Sequence, residues 1–74
     1  MLEFYVKTAN PVCHIEACSI INYFLCEIIS DRICGKDEDF YGVFLIKADP
    51  DVFEIFSNFS SGITLEYHQD NIIR

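Results

Sequence analysis

Two stretches of this chain carry nearly the same instruction. Phe4-Tyr5-Val6-Lys7-Thr8-Ala9-Asn10-Pro11 and Phe44-Leu45-Ile46-Lys47-Ala48-Asp49-Pro50 align with one gap. Each runs through aromatic and aliphatic strand formers to a lysine, an alanine, a polar residue and a proline. Asn and Asp are favoured helix N-caps, and proline fits the first helical position. Each stretch therefore reads as a strand followed by a helix. Two such units in 74 residues leave room for one compact domain, spanning residues 1–74, and nothing larger.

The flanking pattern fills in the rest. Leu2, Phe4 and Val6 alternate with Glu3, Tyr5 and Lys7, the signature of a half-buried strand. A helix opens at Asn10-Pro11 and is predicted to run to about Ser30. Its polar positions are Glu16, Ser19, Tyr23, Glu27 and Ser30, a narrow stripe on an otherwise apolar cylinder. Residues 31–39 admit two readings. The helix continues to Cys34 and stops at Gly35, or Arg32-Ile33-Cys34 forms a short edge strand that turns into the next one. Phe40 to Ala48 is apolar on both faces, as a central strand is. Val52, Ile55, Phe56 and Phe59 fall at helical spacing, and Gly62 closes that helix. Ile63, Leu65 and Tyr67 alternate in a last strand. Residues 71–74 read as a tail.

The predicted order is β-α-(β)-β-α-β, an α+β two-layer sandwich. With the extra strand it is ferredoxin-like, with the two repeated strands central. Without it, a three-stranded sheet carries two helices on one face.

Composition narrows the function classes. Apolar residues make up 51% of the chain, with seven Phe and four Tyr, which is too much for disorder and more than one small domain shelters with ease. No apolar run reaches the ~18 residues that span a bilayer, and the first residues have neither the basic nor the apolar region of a signal peptide. A cytoplasmic protein is expected, with Cys13, Cys18, Cys26 and Cys34 as reduced, largely buried thiols. The net charge of −7 opposes direct contact with nucleic-acid phosphates or anionic membranes and favours a basic partner.

No catalytic signature is present: no Gly-x-Ser-x-Gly, no phosphate-binding glycine loop, and Cys13 beside His14 diverge on a helix. His14 and Cys18 share a helical face, so with Cys34 or His68 they offer a zinc alternative, although the cysteine spacing matches no finger or ribbon. Asp49, Asp51 and Glu54 look like an oxygen cluster for a cation, but they also fit the cap and first turns of a helix. Lys7 and Lys47 form an anion site only if their strands are parallel. No cofactor is called for.

The remaining candidates are surfaces. Phe40, Phe44 and Ile46 are expected to face the helices, leaving Tyr41, Val43 and Leu45 outward with Tyr5 on a sheet face that no helix covers. Such an aromatic–aliphatic patch marks an interface. Asp37, Glu38 and Asp39 before the central strand, and Asp49, Asp51 and Glu54 after it, would steer and rim a basic protein partner. The expected function is a small acidic, non-enzymatic interaction module. In composition it resembles the short proteins with which phages and mobile elements block host defence or nucleic-acid-processing machinery, which would put it in the host cytoplasm. A homodimer follows if the wide apolar arc of the first helix stays uncovered. The alternatives are a Cys/His metal- or thiol-dependent protein, and a DNA mimic whose two acidic patches imitate spaced phosphates.

Overall fold

The computed structural model describes residues 1–35, 37–59 and 62–68. The elements are β1 (Leu2–Thr8), α1 (Pro11–Tyr23), β2 (Glu27–Cys34), a 3-10 turn at Asp37–Asp39, β3 (Tyr41–Ala48), α2 (Pro50–Ser57) and β4 (Ile63–Tyr67). The four strands form one sheet in the order β2-β3-β1-β4, antiparallel at every junction. This is an α+β fold with a four-stranded antiparallel sheet and two helices, so the three-stranded alternative gives way. The expected tail at 71–74 lies outside the described residues.

Alternation builds the core. Phe4, Val6 and Thr8 of β1 and Phe44, Ile46 and Ala48 of β3 point to one side and are almost fully buried. Ala17 and Ile21 of α1 and Val52 and Phe56 of α2 close over them in one cluster. Phe4 is its pivot, meeting Phe53 edge-on at 5.0 Å and Phe56 at 6.5 Å. Truncating a buried phenylalanine of this kind costs ~3–5 kcal/mol.

Both strand-to-helix devices form, but they are not equivalent. The Asn10 side chain accepts a hydrogen bond from the Cys13 N–H at 2.8 Å. Asp49 occupies the same position before α2 with no side-chain cap bond. The expected carboxylate cap at Asp49 is therefore corrected: only its backbone opens the helix, while Asp51 lies in the first turn.

The largest departure from expectation is the length of the first helix. It ends at Tyr23 and not near Ser30, and residues 27–34 are strand. Leu25 takes a left-handed conformation, φ 55°, that turns the chain back, with the Cys26 N–H bonded to the Ile21 carbonyl. Ile28, Ile29 and Ile33 are β-branched and sit more easily on a pleat than in a helix. The edge-strand reading holds, over eight residues where three were expected, and pairing with β3 outweighs the helical spacing of the polar stripe. Gly35, φ 72°, then makes the turn; a Cβ there would lie 2.1 Å from the Asp39 carbonyl oxygen.

Among the described residues, no helix is long and apolar enough to cross a membrane.

Candidate functional site

The sheet face opposite the helices carries the sequence-predicted patch. Register places Tyr5 opposite Leu45, Lys7 opposite Val43, Arg32 opposite Val43 on its other side, and Cys34 opposite Tyr41. Because opposed residues share a face, these side chains lie together. Tyr5, Tyr41, Val43 and Leu45 form the floor and walls of a shallow groove of about 330 Å³, completed by Ser30, Arg32 and Cys34.

The groove is graded in depth. Leu45 is 9% exposed although it is on the uncovered face, Val43 and Tyr5 are half-buried, and Tyr41 stands out at 45%. Neighbouring side chains supply the shelter. The Tyr5 ring lies 5.7 Å from His68. On the same face the Lys7 ammonium donates to the Glu66 carboxylate, an exposed bridge from β1 to β4 that raises the Lys7 pKa above its ordinary value. His68 Nδ1 is 3.6 Å from the Glu3 carboxylate. The face is thus an apolar strip with a charged surround.

The predicted acids do not ring that strip. Asp37, Glu38 and Asp39 form the turn before β3, and Asp49, Asp51 and Glu54 belong to the cap and body of α2 beyond its far end. They bracket β3 at its two ends. The lateral neighbours on the open face are of both signs, with Lys7 and Arg32 beside Val43 and Glu66 beside Tyr5. Ser30 escaped the sequence reading because polar spacing puts it on the first helix, and Arg32 because residues 31–39 read equally as helix or as a short edge strand with no register given. The Ile28-Ile29 pair and Ile33 were the signal that could have placed them on a strand.

The antiparallel pairing of β1 with β3 sets Lys7 and Lys47 at opposite ends of the sheet, so the two lysines make no joint anion site.

A second constellation lies on the helix side. His14 is 8% exposed. Its Nδ1 shares a hydrogen with the Thr8 hydroxyl at 2.8 Å, and its Nε2 is 3.5 Å from Asp31 Oδ1. Its ring stacks on Phe44 and meets Phe40 edge-on. Hydroxyl, imidazole and carboxylate in line resemble the parts of a nucleophilic triad. Thr8, however, is 1% exposed, so its oxygen is closed to a substrate. The line acts as a strut that ties α1 and β2 to the centre of the sheet.

The metal alternative gains no geometry. Among the described residues no three His, Cys, Asp or Glu side chains gather as a metal cluster, and the cysteines are reduced thiols, of which Cys13 alone is buried as expected while Cys18 and Cys26 are half-buried and Cys34 is exposed. His14 Nδ1 is engaged by Thr8, and the Cys18 sulfur accepts from Asn22 Nδ2 at 3.7 Å. Cys26 is held protonated, its pKa raised first by burial and then by the Asp49 charge.

No protein-family model matches this chain, and neither the curated proteins nor the solved structures contain a significant match to it.

Proposed function

We propose that this chain is a non-enzymatic interaction module that docks its open sheet face on a basic protein surface and blocks what that surface does. The observation that carries the reading is the graded groove: a sheltered apolar floor at Val43 and Leu45 with Tyr41 projecting from it. Tyrosine supplies large contact area at low entropic cost and is enriched among binding hot spots. The net charge of −7 supports long-range attraction to a basic partner, with Glu38, Asp39, Asp49, Asp51 and Glu54 at the ends of β3 doing the steering and the apolar strip holding contact. The sequence order β-α-β-β-α-β and the sheet order β2-β3-β1-β4, antiparallel throughout, support placing this surface on a ferredoxin-like frame. Reduced cysteines suit a reducing cytoplasm, the host's if a phage encodes the chain.

The test is photocrosslinking from position 5, which lines the same groove as Tyr41, in the native cell. The expected product is a covalent adduct with one protein of basic surface. Tyr41→Ala weakens capture of that protein at least tenfold while the fold is retained, because Tyr41 is largely outside the core. Capture of nucleic acid alone, or capture indifferent to Tyr41→Ala, overturns the reading.

A further inference from the structure

The strand that sequence reasoning left least defined carries the further inference. β2 is an edge of the sheet, paired on one side with β3 and on the other with no described strand. All eight of its residues are exposed, among them Ile28 at 41%, Ile29 at 45% and Ile33 at 55%. An edge strand presents a row of unpaired N–H and C=O groups, and folded proteins blunt such edges with lysine and other charges, proline, bulges or a cover. β2 contains neither lysine nor proline, and its charged residues are Glu27, Asp31 and Arg32. It has one bulge, at Ile29, and from Ser30 to Cys34 the strand is regular.

We infer that the Ser30–Cys34 edge of β2 takes an extended, lysine- or arginine-bearing segment of a partner protein as a fifth strand. It rests on the reading that the chain binds a basic protein and names a second means by which it does so. Three observations select this occupant. The backbone groups of the edge need hydrogen bonds, which an extended segment offers and a helix has already spent. Within Ser30–Cys34 the charges of Asp31 and Arg32 balance, but Glu27 before it and Asp37, Glu38 and Asp39 after it outnumber Lys36, so a positively charged segment is drawn to this edge by the surrounding field.

The third observation disfavours a second copy of the chain. Antiparallel pairing of β2 with itself requires a two-fold axis normal to the sheet, which keeps each side chain on its own face, so one residue opposes its own copy. An axis at Asp31 or at Arg32 sets like charges against each other. An axis at Ile33 or Cys34 pairs no more than Arg32–Cys34, because the strand ends there and Gly35, φ 72°, turns the chain away. An axis at Ser30 opposes Ile28 to Arg32. The bulge forbids that, because Ile28 lies across from Ile46 on the helix face and Arg32 across from Val43 on the open face.

The test is amide-resolved NMR on the intact chain, titrated with a synthetic peptide of alternating valine and lysine matched in length to β2. Saturable shifts concentrated at residues 30–34, with slowed hydrogen exchange there, are the expected result. The valine–glutamate counterpart is expected to bind at least tenfold more weakly. Ile33→Lys, at an exposed position, is expected to cost at least tenfold in affinity for the valine–lysine peptide while leaving the spectrum of the free protein folded. Shifts confined to Tyr5, Tyr41 and Val43 would overturn the edge inference and leave the open-face reading standing. No shift at millimolar peptide, equal binding of the acidic peptide, or a β2-mediated dimer in sedimentation without peptide would each overturn it as well. Loss of photocrosslinking on Tyr41→Ala is independent of all these outcomes, so the two readings fail separately.

Discussion

The imidazole of His14 lies flat on the ring of Phe44, with centroids 4.3 Å apart and planes 11° from parallel. This stack is possible because the residue opposite Thr8 on β3 is Gly42. A Cβ at that position would fall 2.3 Å from His14 Nδ1 and 2.5 Å from Thr8 Oγ1. Neither neighbour is the free end of a flexible chain; both are buried and bonded to each other. Gly42→Ala is therefore expected to destabilise the fold by ~1–3 kcal/mol, the usual cost of overpacking. Thermal unfolding should show it as a fall of ~4–8 °C for each kcal/mol in a domain of this size. Adding His14→Ala should recover part of the loss, so the double variant is less damaged than the two single losses summed.

The same imidazole separates its two polar partners. Thr8 is buried and 2.8 Å from Nδ1, whereas the Asp31 side chain is 49% exposed and 3.5 Å from Nε2. Removing the hydroxyl strands a buried ring nitrogen, which costs ~1–3 kcal/mol. Removing the Asp31 charge alters only a long contact to a half-exposed carboxylate, and solvent-exposed pairs are worth ~1 kcal/mol or less. Thr8→Val is expected to lower stability clearly more than Asp31→Asn in urea titrations. Equal losses would show that the strut depends on its outer end.

What the sequence disclosed and what it hid divide along one physical line. Period-two alternation in Leu2–Lys7 and Ile63–Tyr67 and the Asn10-Pro11 and Asp49-Pro50 pairs placed four elements, and the outward direction of Tyr5, Tyr41, Val43 and Leu45, because local geometry dictates them. The polar residues up to Ser30 happen to fall at helical spacing and read as helix, while residues 31–39 admit both helix and a short edge strand. The strand state of Glu27–Cys34 depends on pairing with β3, a contact between residues distant in sequence. Arg32 and Ser30 were missed at the groove for the same reason. The shelter around Leu45, the half-burial of Val43 and the His14 strut depend on packing across strands, which no single window of sequence displays.

The turn that ends α1 supplies a prediction about strain. Leu25 has φ 55°, is 89% exposed, and sits where glycine is the common choice after a helix. A side chain with a Cβ is penalised in this conformation by ~1–2 kcal/mol, and part of any relief is offset by the freedom glycine has in the unfolded chain. Leu25→Gly is expected to raise stability by ~0.5–1 kcal/mol, read from the urea midpoint. It should leave peptide binding at Ser30–Cys34 unchanged, because Leu25 lies outside that stretch. A loss of stability would mean that the exposed leucine makes contacts worth more than its strain.

Alkaline pH is expected to weaken the fold in two separable steps. The Cys26 thiol has its pKa raised above 9.0, chiefly by burial and next by the charge of Asp49, so the thiolate forms more readily in the unfolded chain. A group whose folded pKa is raised contributes stability below its unfolded pKa and loses it as pH climbs through the folded value. The first loss therefore begins near pH 9. Lys7, raised above 10.5 mainly by its hydrogen bond to Glu66, follows the same sign and loses its contribution above that pH. Urea titrations between pH 7 and 11 should show both declines; Cys26→Val should remove the earlier one and Lys7→Met the later. Alkylation at neutral pH provides a second check: Cys34, which is exposed, should react first, Cys26 slowly, and buried Cys13 only on unfolding. Rapid labelling of Cys26 in the folded protein would contradict the protonated, sheltered thiol on which the first step rests.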